Sequence, residues 1–104
     1  MQLHDLISEI KFNPSKSTQK ELFSSSGLKV NLYCLEEGQK LEGCQCKKPT
    51  IWYCVGGNGY FYCGSQRISG TFGTLFVCDH HNVCTAKGKN HFVVLEIKGS
   101  KRMH

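Results

Sequence analysis

No stretch of this sequence approaches the roughly 20 apolar residues needed to cross a bilayer. Nor does a small-residue cleavage site follow the opening Met1 to Ile10, which carries Asp5 and Glu9. A membrane span and a secretory signal are therefore not expected, and a cytoplasmic protein is. Internal repeats, low-complexity tracts and dense Lys/Arg blocks are also missing. The net charge is +5, from thirteen Lys+Arg against eight Asp+Glu, with part of the excess in Lys98, Lys101 and Arg102. A basic balance favours anionic partners. Without a block of cations it reads as a solvated surface. The aromatic run GYFYCG at 59–64 lacks the basic residue and the second spaced glycine of an RNA-binding strand, which argues against nucleic acid.

What is present is one core's worth of chain. The 104 residues are 39% hydrophobic and 20% charged, which fits a single soluble globular domain. Seven cysteines is a high and odd count. With no secretion signal, a disulfide framework is the weaker reading. Reduced thiols act as metal ligands, reactive groups or small buried hydrophobes.

Leu3, Leu6, Ile7 and Ile10 recur at helical spacing and predict a short N-terminal helix, ended by Asn13-Pro14. The polar residues 15–27 read as an approach segment. From Leu28 the period becomes two: Leu28, Val30, Leu32 and Cys34 alternate with Lys29, Asn31 and Tyr33. Short strands follow at Thr50 to Val55, Tyr60 to Cys63, Gln66 to Ser69, Thr74 to Cys78 and Phe92 to Lys98. Gly56-Gly57-Asn58-Gly59 reads as a hairpin signal, and Asp79 to Val83 as a polar loop. Many short strands punctuated by glycine read as an all-β barrel or sandwich, and so few residues favour one antiparallel barrel, over 28–98, above two full sheets, with a lead-in over 1–27 and a basic tail over 99–104.

Cys44 and Cys46 are two apart, so on a strand both side chains take one face and form one edge of a metal site. The glycine spacing around them extends the pattern. Five residues separate Gly38 from Cys44, one separates Cys44 from Cys46, three lead to Thr50 and six to Gly57. This resembles the first cupin motif, G-x5-H-x-H-x3-E-x6-G. After fifteen more residues, Gly73 begins a run through Asp79, His81, Cys84 and Gly88. It resembles the second motif, G-x5-P-x-G-x2-H-x3-N. The stretches NLYCLEEGQKLEG and TIWYCVGGNGYF look like the strands flanking the first motif in small single-domain cupins.

That resemblance implies a jelly-roll-like barrel. In the family, two histidines and a glutamate of the first motif and a histidine of the second hold a divalent metal. Carried onto this chain, the four positions are Cys44, Cys46, Thr50 and Cys84. All three histidine positions are cysteine, and the carboxylate position is a hydroxyl. Asp79 and His81 replace the Pro and Gly, and Gly88 replaces the Asn. Thiolates are soft ligands that select Zn, Cu(I), Fe or an iron–sulfur cluster. Zn or Fe is the first expectation. Cys54 shares a strand face with Thr50 and Trp52 and is the candidate fourth ligand, with solvent as the alternative. Thr50, Trp52 and His81 are candidate pocket residues for a small molecule. Cys34 reads as core. Cys63 and Cys78 read as packing, either in the core or near the barrel mouth, and His80 and His81 as solvated loop residues or an exchangeable ligand.

The expectation is a metal-binding cupin-like barrel with a thiolate-rich site, set against two alternatives. One is a thiol-redox or metal-free small-molecule-binding cupin. The other is an oxygenase- or isomerase-type enzyme with solvent as fourth ligand. Fold does not decide between enzyme and binder. A homodimer is implied by the resemblance alone.

Overall fold

A computed structural model describes residues 1–41, 44–45, 49–78 and 83–99, with backbone only at 44, 45, 83 and 84. The described residues form one helical turn, α1 (Leu6–Glu9), and seven strands: β1 (Thr18–Ser24), β2 (Lys29–Leu35), β3 (Cys44–Gln45), β4 (Thr50–Cys63), β5 (Gln66–Thr71), β6 (Leu75–Cys78) and β7 (Val83–Lys98). The strand order is β1-β2-β7-β4-β5, with β3 on β7 and β6 on β4. Every pairing is antiparallel.

Two long strands organise the fold. β4 and β7 pair from Thr50↔Lys98 to Cys63↔Cys84. The first part of β4 also carries β6, and the matching part of β7 carries β2. The second part of β4 carries β5, and the matching part of β7 carries β3. The long pair is thus shared by two sheet halves that fold over one interior.

The bend between the halves falls at Gly56-Gly57-Asn58-Gly59, where the register slips three times between Cys54 and Gly59. The segment read as a hairpin signal is therefore a run of bulges inside one strand. Its glycines serve close approach and not chain reversal. Gly57 takes φ +67°, and a Cβ there would overlap the His91 carbonyl; one at Gly59 would overlap the Phe92 ring.

Inside the barrel, Tyr33, Leu35, Leu41, Trp52, Cys54, Phe61, Ala86, Phe92 and Val94 form the main core. A second cluster lies on the other face of β2 and β7. There Leu22, Leu32, Cys34 and Val93 are covered by Leu6, Ile10 and Phe12 of the N-terminal segment. Cys34 is buried in this outer cluster, as its alternation with Val30 and Leu32 implies. The helix is shorter than its spacing predicts. Asp5 caps it by accepting from Ile7 N (3.2 Å) and Ser8 Oγ (2.8 Å), and Leu3 and Ile7 stay exposed. Residues 18–24, within the polar approach segment, form edge strand β1 on β2. An edge needs only one buried face, and charge on the other discourages further pairing.

Candidate functional site

The strand register brings cysteines together at one end of the barrel. Cys44 of β3 is opposite Cys84 of β7, and Cys84 is opposite Cys63 of β4. Three consecutive strands, spaced about 4.8 Å apart, thus carry cysteine at one level. From the other sheet half comes a second row, Lys29–Lys98–Thr50–Cys78, across β2, β7, β4 and β6. The two rows meet at sulfur: Cys63 Sγ and Cys78 Sγ are 3.5 Å apart. Cys78 and Thr50 are buried and Cys63 is half-buried.

An aromatic floor lies directly below. Phe76 packs against Cys78, as Cys63 does, and against the main core. It stacks on Phe61 at 5.7 Å, and Phe61 in turn contacts Trp52 at 6.1 Å and Phe92 at 5.4 Å. Trp52, at 1% exposure, belongs to this floor. Its side chain packs on Tyr33 at 6.3 Å.

Cys54 occupies a different place. It is fully buried, opposite Val94, ten residues further along β7 than Cys84. Its thiol donates to the Gly56 carbonyl at 3.3 Å. Burial pushes the Cys54 thiol pKa up, with the Gly56 contact working in the opposite direction. It is a protonated core thiol. Cys46 and His81 lie outside the described residues, and Cys44 and Cys84 are placed by their backbone. Among the described side chains, no three His, Cys, Asp or Glu form a group able to hold a metal ion.

Sequence reasoning gave no role to Glu96. Its carboxylate is fully buried inside the barrel, on the row Asn31–Glu96–Trp52–Phe76, one step deeper than Thr50. Asn31 Nδ2 and the Tyr33 hydroxyl donate to Oε1 at 3.0 and 3.1 Å, and Lys98 Nζ is 3.8 Å from Oε2. A signal was available: Phe92, Val94 and Glu96 share one strand face, so an acid interrupts an inward apolar series. Cys63 and Cys78 sit at strand ends, where parity says which way a residue points but not what it meets across the barrel.

Two sheet halves sharing their longest strands, closed over an aromatic core, match a known architecture. An RmlC-like cupin protein from Desulfovibrio desulfuricans superposes with a TM-score of 0.86 over 95% of this chain and 96% of its own, at 18% identity. The fold is a cupin fold. A cupin superfamily protein from Desulfitobacterium hafniense matches at TM-score 0.84 and 18% identity, over 92% of this chain and 88% of that one. A cupin 2 conserved barrel domain protein from Leptotrichia buccalis also gives 0.84, at 15% identity, over 93% of this chain and 47% of its own. No family model matches the chain, and no curated protein matches it in sequence. On this cupin fold, the run resembling the first motif, Gly38 to Gly57, passes through β3 into β4, and the run resembling the second, Gly73 to Gly88, takes in all of β6 and the start of β7. Among the described residues, no helix is long and apolar enough to cross a membrane.

Proposed function

We propose that the chain is a metal-binding cupin-like barrel whose site is built from thiolates. Cys44, Cys46 and Cys84 are joined there by Cys63 and Cys78, and the ion is thiophilic, zinc or iron first. The observation that carries this reading is the row Cys44–Cys84–Cys63, with Cys78 at 3.5 Å from Cys63. The donor set does not fit the family's usual metal site, since no histidine or carboxylate stands at 44, 46, 50 or 84. It fits a soft ion. Cys54 is left in the core, because its buried thiol already donates to Gly56 and resists ionisation, and a ligand must lose its proton to bind.

Four or more thiolates close the coordination sphere, which suits storage, sensing or structure more than turnover. Such a site needs a reducing compartment, hence a cytoplasmic protein. A homodimer, also proposed, would cover the exposed Leu75 and Val77.

The test is metal content across three variants purified without oxygen. Cys84→Ser and Cys63→Ser each replace a thiolate with a hydroxyl that stays protonated at neutral pH, and zinc content should fall at least tenfold. Cys34→Ser removes a thiol of the outer cluster and should leave it unchanged. Equal metal in all three would remove the site assignment.

A further inference from the structure

We propose that Cys63 and Cys78 are a site of reversible oxidative modification, forming a disulfide across the barrel end when the protein meets a hydroperoxide.

The two residues stand at the ends of β4 and β6, on segments that do not pair with each other: Cys63 faces Gln66 and Cys84, and Cys78 faces Thr50. They are therefore not i and i+2 neighbours of one strand, whose sulfurs project side by side and link poorly. The sulfurs already touch at 3.5 Å, against about 2.05 Å in a disulfide. Exposure divides the roles. Cys63 is half-buried and open to an oxidant, whereas Cys78 is 3% exposed and waits behind it. The other described thiol sulfurs lack this geometry: Cys34 lies in the outer cluster, and Cys54 donates to a carbonyl in the core.

The chemistry balances in two steps. The Cys63 sulfur attacks the peroxide O–O bond; an S–O bond forms, the O–O bond breaks, and water (or the alcohol of an organic hydroperoxide) leaves with a proton. The Cys78 sulfur then attacks the sulfenic sulfur of Cys63; the S–S bond forms, the S–O bond breaks, and the second water carries away the Cys78 proton. Two thiols have given two electrons to one peroxide. A dithiol reverses the change by exchange. The link ties the end of β6 to the end of β4 and takes two sulfurs away from the proposed metal site.

The experiment uses the full chain, reduced and metal-free, so its outcome does not depend on the metal reading. One equivalent of hydrogen peroxide is added, remaining thiols are alkylated, and an unreduced digest is mapped by tandem mass spectrometry. The expected product is a Cys63–Cys78 link with two of the seven thiols lost. Closing a loop of this length should raise the thermal midpoint by roughly 10 °C, reversed by dithiothreitol. Cys63→Ser and Cys78→Ser should each abolish both effects, and Cys34→Ser neither. A product linking Cys63 to Cys84 or Cys44 overturns the proposal, as does a chain that keeps all seven thiols alkylatable. Should the parent bind no zinc yet form the link, the metal reading alone fails. Should zinc bind without the link forming, this proposal alone fails.

Discussion

At residue scale the barrel separates its thiols by what surrounds them. Cys54 is sealed among Trp52, Phe61 and Val94, and burial keeps it protonated. The sign of its pH effect follows. Its pKa is raised in the folded chain, so unfolding lets the thiol ionise at a lower pH than folding allows. The stabilising difference is present below the unfolded value of about 8.5 and fades as pH rises through the folded value. Denaturant midpoints at pH 7 and pH 10 should show the parent losing more stability over this range than Cys54→Ala, with zinc content the same in both at pH 7. Equal alkaline losses would mean that Cys54 ionises as easily inside the barrel as outside it.

At the scale of elements, glycine sets the shape. Gly59 lies where β4 bends against β7, and an added Cβ would meet both the Phe92 ring and the Lys87 carbonyl. Backbone cannot retreat as a side-chain tip does, so Gly59→Ala should cost about 3 kcal/mol. Gly73 is in open space but takes φ +92°, and Gly73→Ala should cost about 1 kcal/mol through backbone strain alone. Urea unfolding of the two variants gives the order. Strand parity made part of this architecture legible, since Trp52 and Cys54 share the core face as alternation requires, whereas on β2 the main core takes Tyr33 and Leu35 and the apolar Leu32 and Cys34 go to the outer cluster. Gly56 to Gly59 misled because glycine serves a tight turn and a close crossing equally well, and only the partner strand distinguishes them. β1 was hidden by its polarity. The meeting of Cys63 with Cys78 depends on how two sheet halves close over each other, which no local pattern encodes.

At the scale of the molecule, one sheet half leaves an apolar outer face. Val77, Ile51, Ile97 and Val30 lie on one row, and Leu75, Tyr53, Leu95 and Leu32 on the next; Leu32 is buried in the outer cluster with Val30 and Leu95 packed against it, so the face is open at its β6 side. Leu75 and Val77 are 60% and 49% exposed. In the proposed homodimer a two-fold axis would bring this edge of the face against its own copy. Sedimentation should find the parent dimeric, and the double variant Leu75→Lys, Val77→Lys monomeric with its metal retained. A monomeric parent would remove the dimer from the account.

In the proposed function, thiolates at the barrel end hold a soft ion. The most direct measurement is elemental analysis of the parent chain purified without oxygen, together with its absorption spectrum. About one zinc or iron per chain is expected. A colourless protein would carry zinc, and visible absorption would mark iron–sulfur chemistry. A fully reduced chain that takes up no thiophilic metal, even when zinc is added in excess, would contradict it and leave a metal-free barrel with a cysteine-lined end.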